Sequence, residues 1–215
     1  MFLERQLHNF HASTQAKVGW IEVICGSMFS GKTEELIRRI NRAVIAQQSV
    51  LIFKPHIDLR YNTMKVVSHN FNEVESVPVK TSQELLERVR QANHIIDVIA
   101  IDEGQFFDEG LVDACVSLAN DGKRIIICGL DMDFAGKPFG TIPPLMCVAE
   151  FVTKLHAICM QCGELAHYSF RKGESQETVL LGEKDLYEAR CRRCFIEGNQ
   201  LKKQSEKPSN GHSRK

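Results

Sequence analysis

No apolar run in this chain of 215 residues approaches the length that spans a bilayer. Its opening residues, Met1-Phe2-Leu3-Glu4-Arg5-Gln6, do not build the long apolar core of a secretory signal. Membrane insertion and export are therefore not expected, and a cytoplasmic location is. Net charge is also missing, because Lys and Arg together number 27 and so do Asp and Glu. Proteins that grip nucleic acid usually carry a clear basic excess, so this balance argues against such a partner. Clustered basic and aromatic stretches are absent ahead of the tail, and no internal repeat occurs. Without an export signal, the eight cysteines point to metal or redox chemistry rather than to a disulfide framework. What remains has the composition of an ordinary globular chain, 43% apolar and 25% charged, with room for one full domain and a small appendage.

The most informative segment is Gly26-Ser27-Met28-Phe29-Ser30-Gly31-Lys32-Thr33, a complete phosphate loop of the form G-x-x-x-x-G-K-S/T. The apolar run 20–25 before it reads as a strand. Leu36, Ile37, Ile40, Val44 and Ile45 after it recur at helical spacing, opposite Glu34, Glu35, Arg38, Arg39 and Arg42. A loop between strand and helix is the context in which this motif binds a nucleoside triphosphate. Gly26 and Gly31 let the backbone wrap around phosphate, and the helix N-terminus presents N–H groups to it. Lys32 can reach the β- and γ-phosphates, and the Thr33 hydroxyl can ligate Mg²⁺.

The rest of the chain alternates strand and helix, which predicts an α/β fold with a mostly parallel sheet. Strands are expected at 49–54, 98–101 and 124–128. Thr81 and Glu84 form a capping box before a helix with Leu85, Leu86 and Val89 inward. Asp108 is expected to cap a helix carrying Leu111, Cys115, Leu118 and Ala119, which Gly122 ends. Residues 1–17 read as an arm, 18–152 as the nucleotide-binding domain, 153–198 as a zinc-binding domain, and 199–215 as a disordered tail.

The strand 98–101 ends in Asp102-Glu103. An Asp in that position can hold Mg²⁺ beside Thr33, and Glu103 can accept a proton from an attacking water or hydroxyl. These two residues leave hydrolysis and kinase chemistry both open. Cys159-x-x-Cys162 and Cys191-x-x-Cys194 form two knuckles separated by twenty-eight residues. Together they supply four thiolates for a closed, structural Zn²⁺ site. A redox pair is the alternative, but no thioredoxin-like pattern surrounds them. Cys25, Cys115, Cys128 and Cys147 are expected to be inert core residues.

Several blocks along residues 19–195 together resemble the zinc-containing, cytosolic type of thymidine kinase. They are the phosphate loop with its Met28-Phe29 pair, Asp58-Leu-Arg60-Tyr61, Asp102-Glu-Gly-Gln-Phe-Phe107, Gly129-Leu-Asp-Met-Asp-Phe134, Lys137-Pro-Phe-Gly140 and the cysteine quartet. The resemblance implies a RecA-like phosphate-loop core with a zinc-ribbon-like appendage, whose lasso loop between the cysteine pairs folds over thymidine. It implies transfer of the ATP γ-phosphoryl to the 5′-hydroxyl of thymidine, giving dTMP and ADP, with dTTP as feedback inhibitor and a homotetrameric assembly. Glu103 is then the general base, and Lys32 and Arg60 serve the transferring phosphoryl group. The phosphate loop, Asp58, Asp102, Glu103, Gly104 and Gln105 serve the nucleotide. Met28, Phe106, Leu130, Phe134, Phe139, Ser169, Thr178, Gly182 and Tyr187 enclose thymidine. A nucleic-acid-stimulated ATPase with a zinc ribbon shares the loop, the acidic pair and the cysteines, but not the charge balance. A nucleotide-binding regulator without turnover is disfavoured by the intact Lys32, Asp102 and Glu103.

Overall fold

The computed structural model of the chain describes residues 18–56, 65–67, 73–173 and 186–205. Its centre is a six-stranded sheet. In chain order the strands and helices are β1 (Trp20–Gly26), α1 (Lys32–Ile45), β2 (Val50–Pro55), the short pair β3 (Lys65–Val67) and β4 (Glu73–Glu75), β5 (Val77–Val79), α2 (Ser82–Gln91), β6 (Val98–Ile101), α3 (Gly110–Asn120), β7 (Arg124–Gly129), α4 (Ile142–Val148) and β8 (Phe151–Leu155). The sheet order is β5-β2-β6-β7-β1-β8, and every pairing within it is parallel. β7 therefore separates the strand that leads into the phosphate loop from the strand that ends in Asp102-Glu103. Parallel strands covered by helices on both faces carry apolar residues throughout, as β6 (Val98-Ile-Ala-Ile101) does, buried at all four positions.

One face of the sheet is covered by α1, whose Leu36, Ile37 and Ile40 meet Ile24, Ile52, Val98 and Ile126. The other is covered by α2, α3 and α4, with Leu85, Leu111, Leu118 and Ile142 against Val23, Ile99, Ile125 and Ile127. Each such buried side chain contributes about 1.5–3 kcal/mol relative to exposure. Thr81 caps α2 by accepting the Glu84 N–H at 3.1 Å. The N-cap of α3 is Glu109, without a side-chain cap bond, and not Asp108 as expected. The Asp108 carboxylate, one residue earlier, accepts from the Gly110 N–H at 3.1 Å and from the Ser82 N–H and hydroxyl at 2.7 and 2.6 Å, tying the start of α3 to the start of α2.

Three further expectations need correction. Val44 and Ile45 do not face the core but are 56% and 82% exposed, while Arg39 is buried. The reason is Glu22, an acid within β1, which draws Arg39 Nη1 to 2.7 Å and Arg124 Nε to 2.7 Å. Arg39 also bonds Thr153 Oγ1 at 2.9 Å, so this one member of the charged face is buried against β1 and β8 while Arg38 and Arg42 stay exposed. β8 straddles the expected division at 152–153, because residues 151–155 continue the parallel ladder on β1. Helix α5 (Arg192–Ser205) occupies positions 199–205, where the sequence reads as tail.

The C-terminal part is built from two antiparallel pairs, β9 (Ala157–Ile158) with β10 (Leu165–Ala166) and β11 (Tyr168–Arg171) with β12 (Tyr187–Arg190). α5 follows β12 directly. Its own small core joins Tyr168, Phe170 and Phe195, and a second one gathers around the cysteines.

Candidate active site and metal centre

β1 ends at Gly26 with φ 146°, and the loop closes through Phe29 at φ 64° and Gly31 at φ 84°. All three lie in backbone regions that L side chains rarely adopt. Gly31 is the N-cap of α1, so the first N–H groups of that helix open toward the loop's interior. Lys32 Nζ folds back onto the Ser27 carbonyl at 2.9 Å, and Ser30 Oγ donates to the same oxygen at 2.8 Å. The loop is thus shaped by its own contacts. Ser27 Oγ is buried with no hydrogen-bond partner among the described residues.

The loop lines a cleft of about 140 Å³, together with Glu103, Phe106, Leu130, Phe134, Phe139, Ser169 and Tyr187. Its lining combines the cationic, N–H-rich loop with aromatic rings, Phe106 and Phe139 standing edge to face at 5.7 Å. Glu103 shares this lining. It has φ 52° in a non-glycine residue, a conformation that costs about 1–3 kcal/mol and that surrounding structure must impose. Gln105 holds the Glu103 side chain: its amide N–H donates to Glu103 Oε2 at 2.5 Å while its carbonyl accepts from the Leu130 N–H at 2.9 Å. Gly104 is fixed from below by Thr141 Oγ1, which donates to its carbonyl at 2.6 Å.

Asp102 lies buried at the end of β6 and does not line the cleft. Its Oδ1 accepts from the Glu103 N–H at 3.0 Å and from the Cys128 thiol at 2.7 Å. Burial, then the charge of Asp102, push the Cys128 thiol well above the usual range, so it stays protonated and donates. Cys128 is therefore a hydrogen-bond donor to the acidic pair rather than inert filler. Cys147 also departs from expectation, being exposed on α4. Cys25 is pushed up to about 11, first by burial and then by Asp131.

Of the residues the sequence assigns to the nucleotide, 28–33 and Glu103 line the cleft, while Ser27, Asp102, Gly104 and Gln105 are buried around it. Gln105 binds Glu103 directly. Asp58, Arg60, Thr178 and Gly182 lie outside the described residues. The structure adds Glu34, Met132 and Asp133 to the lining. Met132 and Asp133 fall inside the 129–134 block and were within reach of the pattern; Glu34 had no distinguishing signal.

The four cysteine sulfurs of 159, 162, 191 and 194 lie within 4.8 Å of one another. A tetrahedral Zn²⁺ with bonds of about 2.3 Å needs sulfurs about 3.8 Å apart, and Cys162 and Cys191 Sγ are 3.7 Å apart. The donor set thus fits Zn²⁺ by chemistry and by spacing. Gly163, at φ 78°, turns the first knuckle, with its N–H on the Cys159 carbonyl at 2.9 Å. Burial raises the Cys159 thiol, but backbone N–H groups of Cys191, Gln161 and Cys162 outweigh it and bring it down to about 6. The centre and the phosphate loop are joined. Phe29 packs against the cysteine core, and the Met28 N–H donates to Ser169 Oγ at 3.0 Å. That contact gives the Met28-Phe29 pair its physical role: the loop leans on the C-terminal part.

The family model described as thymidine kinase matches residues 19–195. Thymidine kinases from Rhodothermus sp. (strain ITI 518), Porphyromonas gingivalis and Bacteroides fragilis are 56%, 51% and 54% identical to this chain. The alignments cover 83%, 90% and 86% of this chain, and 82%, 92% and 91% of the respective relatives.

Proposed function

This chain belongs to the thymidine kinase family, and from that premise we propose how its residues transfer the γ-phosphoryl group of ATP to the 5′-hydroxyl of thymidine. The observation that carries the reading is that Lys32, Glu103 and an aromatic-walled pocket share one cleft. The triphosphate lies in the loop 26–33, under the N-terminus of α1, with Lys32 swinging from the Ser27 carbonyl to the transferring phosphates. Thymidine lies among Met28, Phe106, Leu130, Phe134, Phe139 and Tyr187. Glu103, held by Gln105, takes the proton of the 5′-hydroxyl as that oxygen attacks phosphorus. Phosphoryl transfer is mostly positioning and charge stabilisation, so one base and an array of cations and N–H groups suffice. Thr33 and Asp102 would hold Mg²⁺, which would supply charge neutralisation to the triphosphate. The Cys128 thiol and the Glu103 N–H orient Asp102 for that task.

The zinc centre is structural in this reading, because four thiolates leave no open position. Arg60 stabilising the moving group, Asp58 on the nucleotide side, and Thr178 and Gly182 at the base remain part of the proposal by resemblance. So do dTMP as product, dTTP as a competing inhibitor, a homotetramer, and a cytoplasmic location. No helix among the described residues is long and apolar enough to cross a membrane. The deciding experiment measures phosphoryl transfer from ATP to a panel of deoxynucleosides. Thymidine and deoxyuridine are expected to be substrates, with deoxycytidine and purine deoxynucleosides rejected for leaving buried polar groups unpaired. Efficient deoxycytidine phosphorylation, or ATP turnover driven by single-stranded DNA and not by thymidine, overturns it.

A further inference from the structure

The last turn of α5, where the sequence becomes Lys-rich, is attached to the aromatic wall of the cleft. Lys202 Nζ donates to the carbonyl of Arg171 and, at 3.1 Å, to that of Gly173, at the C-terminal end of β11. The same ammonium lies 4.6 Å from the centre of the Phe170 ring. One turn earlier Gly198 lets helix and strand meet closely, since a Cβ there would stand 2.9 Å from Phe170 Cε2 and 2.0 Å from Arg190 Nη1. The end of β11 is thereby fixed against α5. From it projects Arg171, only 2% exposed. Its guanidinium lies 3.7 Å over the Phe134 ring, and its Nε and Nη2 donate to the Tyr187 hydroxyl at 3.0 and 2.6 Å. Phe134 and Tyr187 both line the cleft, although they come from different parts of the chain. Arg171 itself does not line it.

We propose that Arg171 and Lys202 are positioning residues for the nucleoside: Lys202 fixes the end of β11, and Arg171 sets the Phe134 and Tyr187 rings against which the base packs. A planar guanidinium can stack on one ring while forking to the hydroxyl of another, which a lysine cannot reproduce. The proposal rests on the thymidine reading of the cleft. It extends the binding machinery to a helix none of whose residues lines the cleft.

The test compares wild-type enzyme with Lys202→Met, which keeps the alkyl stem, and with Lys202→Arg, which keeps the charge. Lys202→Met is expected to raise the thymidine KM by about three- to tenfold, the scale of one charge-assisted hydrogen bond acting at one remove. The ATP KM, kcat and zinc content are expected to stay within about twofold, and Lys202→Arg to restore most of the loss. Tyr187→Phe removes the hydroxyl that Arg171 holds, so its effect and that of Lys202→Met should be less than additive in the double variant. An unchanged thymidine KM in Lys202→Met overturns the anchor, and full additivity overturns the route through Arg171. A parallel loss in both KM values and kcat marks general destabilisation and also overturns it. Failure of the wild-type enzyme to phosphorylate thymidine instead defeats the underlying reading.

Discussion

Replacing Glu103 by Gln removes the base and almost nothing else. The side chain keeps its length, and Gln bears the same backbone cost at φ 52° as Glu does. The partner Gln105 can still hydrogen-bond an amide oxygen where it now meets Oε2, so the Leu130 N–H keeps its acceptor. The phosphate loop is untouched, because Lys32 and Ser30 are held by the Ser27 carbonyl. A positioned general base contributes about 10²–10⁴ in rate, or about 2.7–5.5 kcal/mol of barrier. Expected, then, is a loss of kcat in that range, with ATP affinity and thermal midpoint near wild type. The assay is steady-state phosphoryl transfer to thymidine beside calorimetric titration with a non-hydrolysable ATP analogue. A control variant separates chemistry from positioning: Gln105→Leu keeps the carboxylate but loses its orienting amide and leaves the Leu130 N–H without its partner. It should cost about 1–3 kcal/mol of stability and a smaller share of kcat than Glu103→Gln. Near-normal turnover in Glu103→Gln refutes the assignment of the base.

Freshly purified, chelator-free protein should contain about one Zn²⁺ per chain; Cys162→Ser should lower that content and raise the thymidine KM through the contacts of Phe29 and Ser169, and a metal analysis finding no zinc refutes the centre. Ser169→Ala strips the acceptor from the Met28 N–H, which should cost about 1–3 kcal/mol read by urea midpoint, and an unchanged midpoint would show that the loop does not depend on β11. Glu22 gives a pH test. Burial raises its pKa, but Arg124, Trp20 and Arg39 together hold it below its ordinary 4.5. Its stabilising contribution is therefore fully present above about pH 4.5 and is lost as pH falls through the depressed folded value. Glu22→Gln should flatten the acid limb of the stability curve and, by weakening the pairing of Arg124 while Arg39 keeps Glu35 and Thr153, cost about 1–3 kcal/mol near neutrality; an unaltered acid limb refutes the linkage.

The sequence alone determined the elements whose cause is local. The phosphate loop is a backbone device specified by Gly26, Gly31, Lys32 and Thr33 at fixed spacing, and the strand 98–101 announces itself by continuous apolar character. The Thr81 cap is a short-range hydrogen bond, and the cysteine pairs carry their geometry in their spacing. Tertiary structure decided whatever depends on residues far apart in the chain. Arg39 reads as a solvated face of α1 until Glu22 of β1 and Thr153 of β8 come beside it. Cys128 reads as core until Asp102, at the end of the neighbouring strand, accepts a hydrogen bond from its thiol. Gln105 reads as part of the nucleotide site, yet its amide spans Glu103 and the backbone after β7. Lys202 reads as tail until α5 lies against β11, because a helix so poor in apolar residues derives its stability from packing rather than from pattern. Local rules fix which groups can do the chemistry, while the sheet order and the docking of α5 fix where those groups stand.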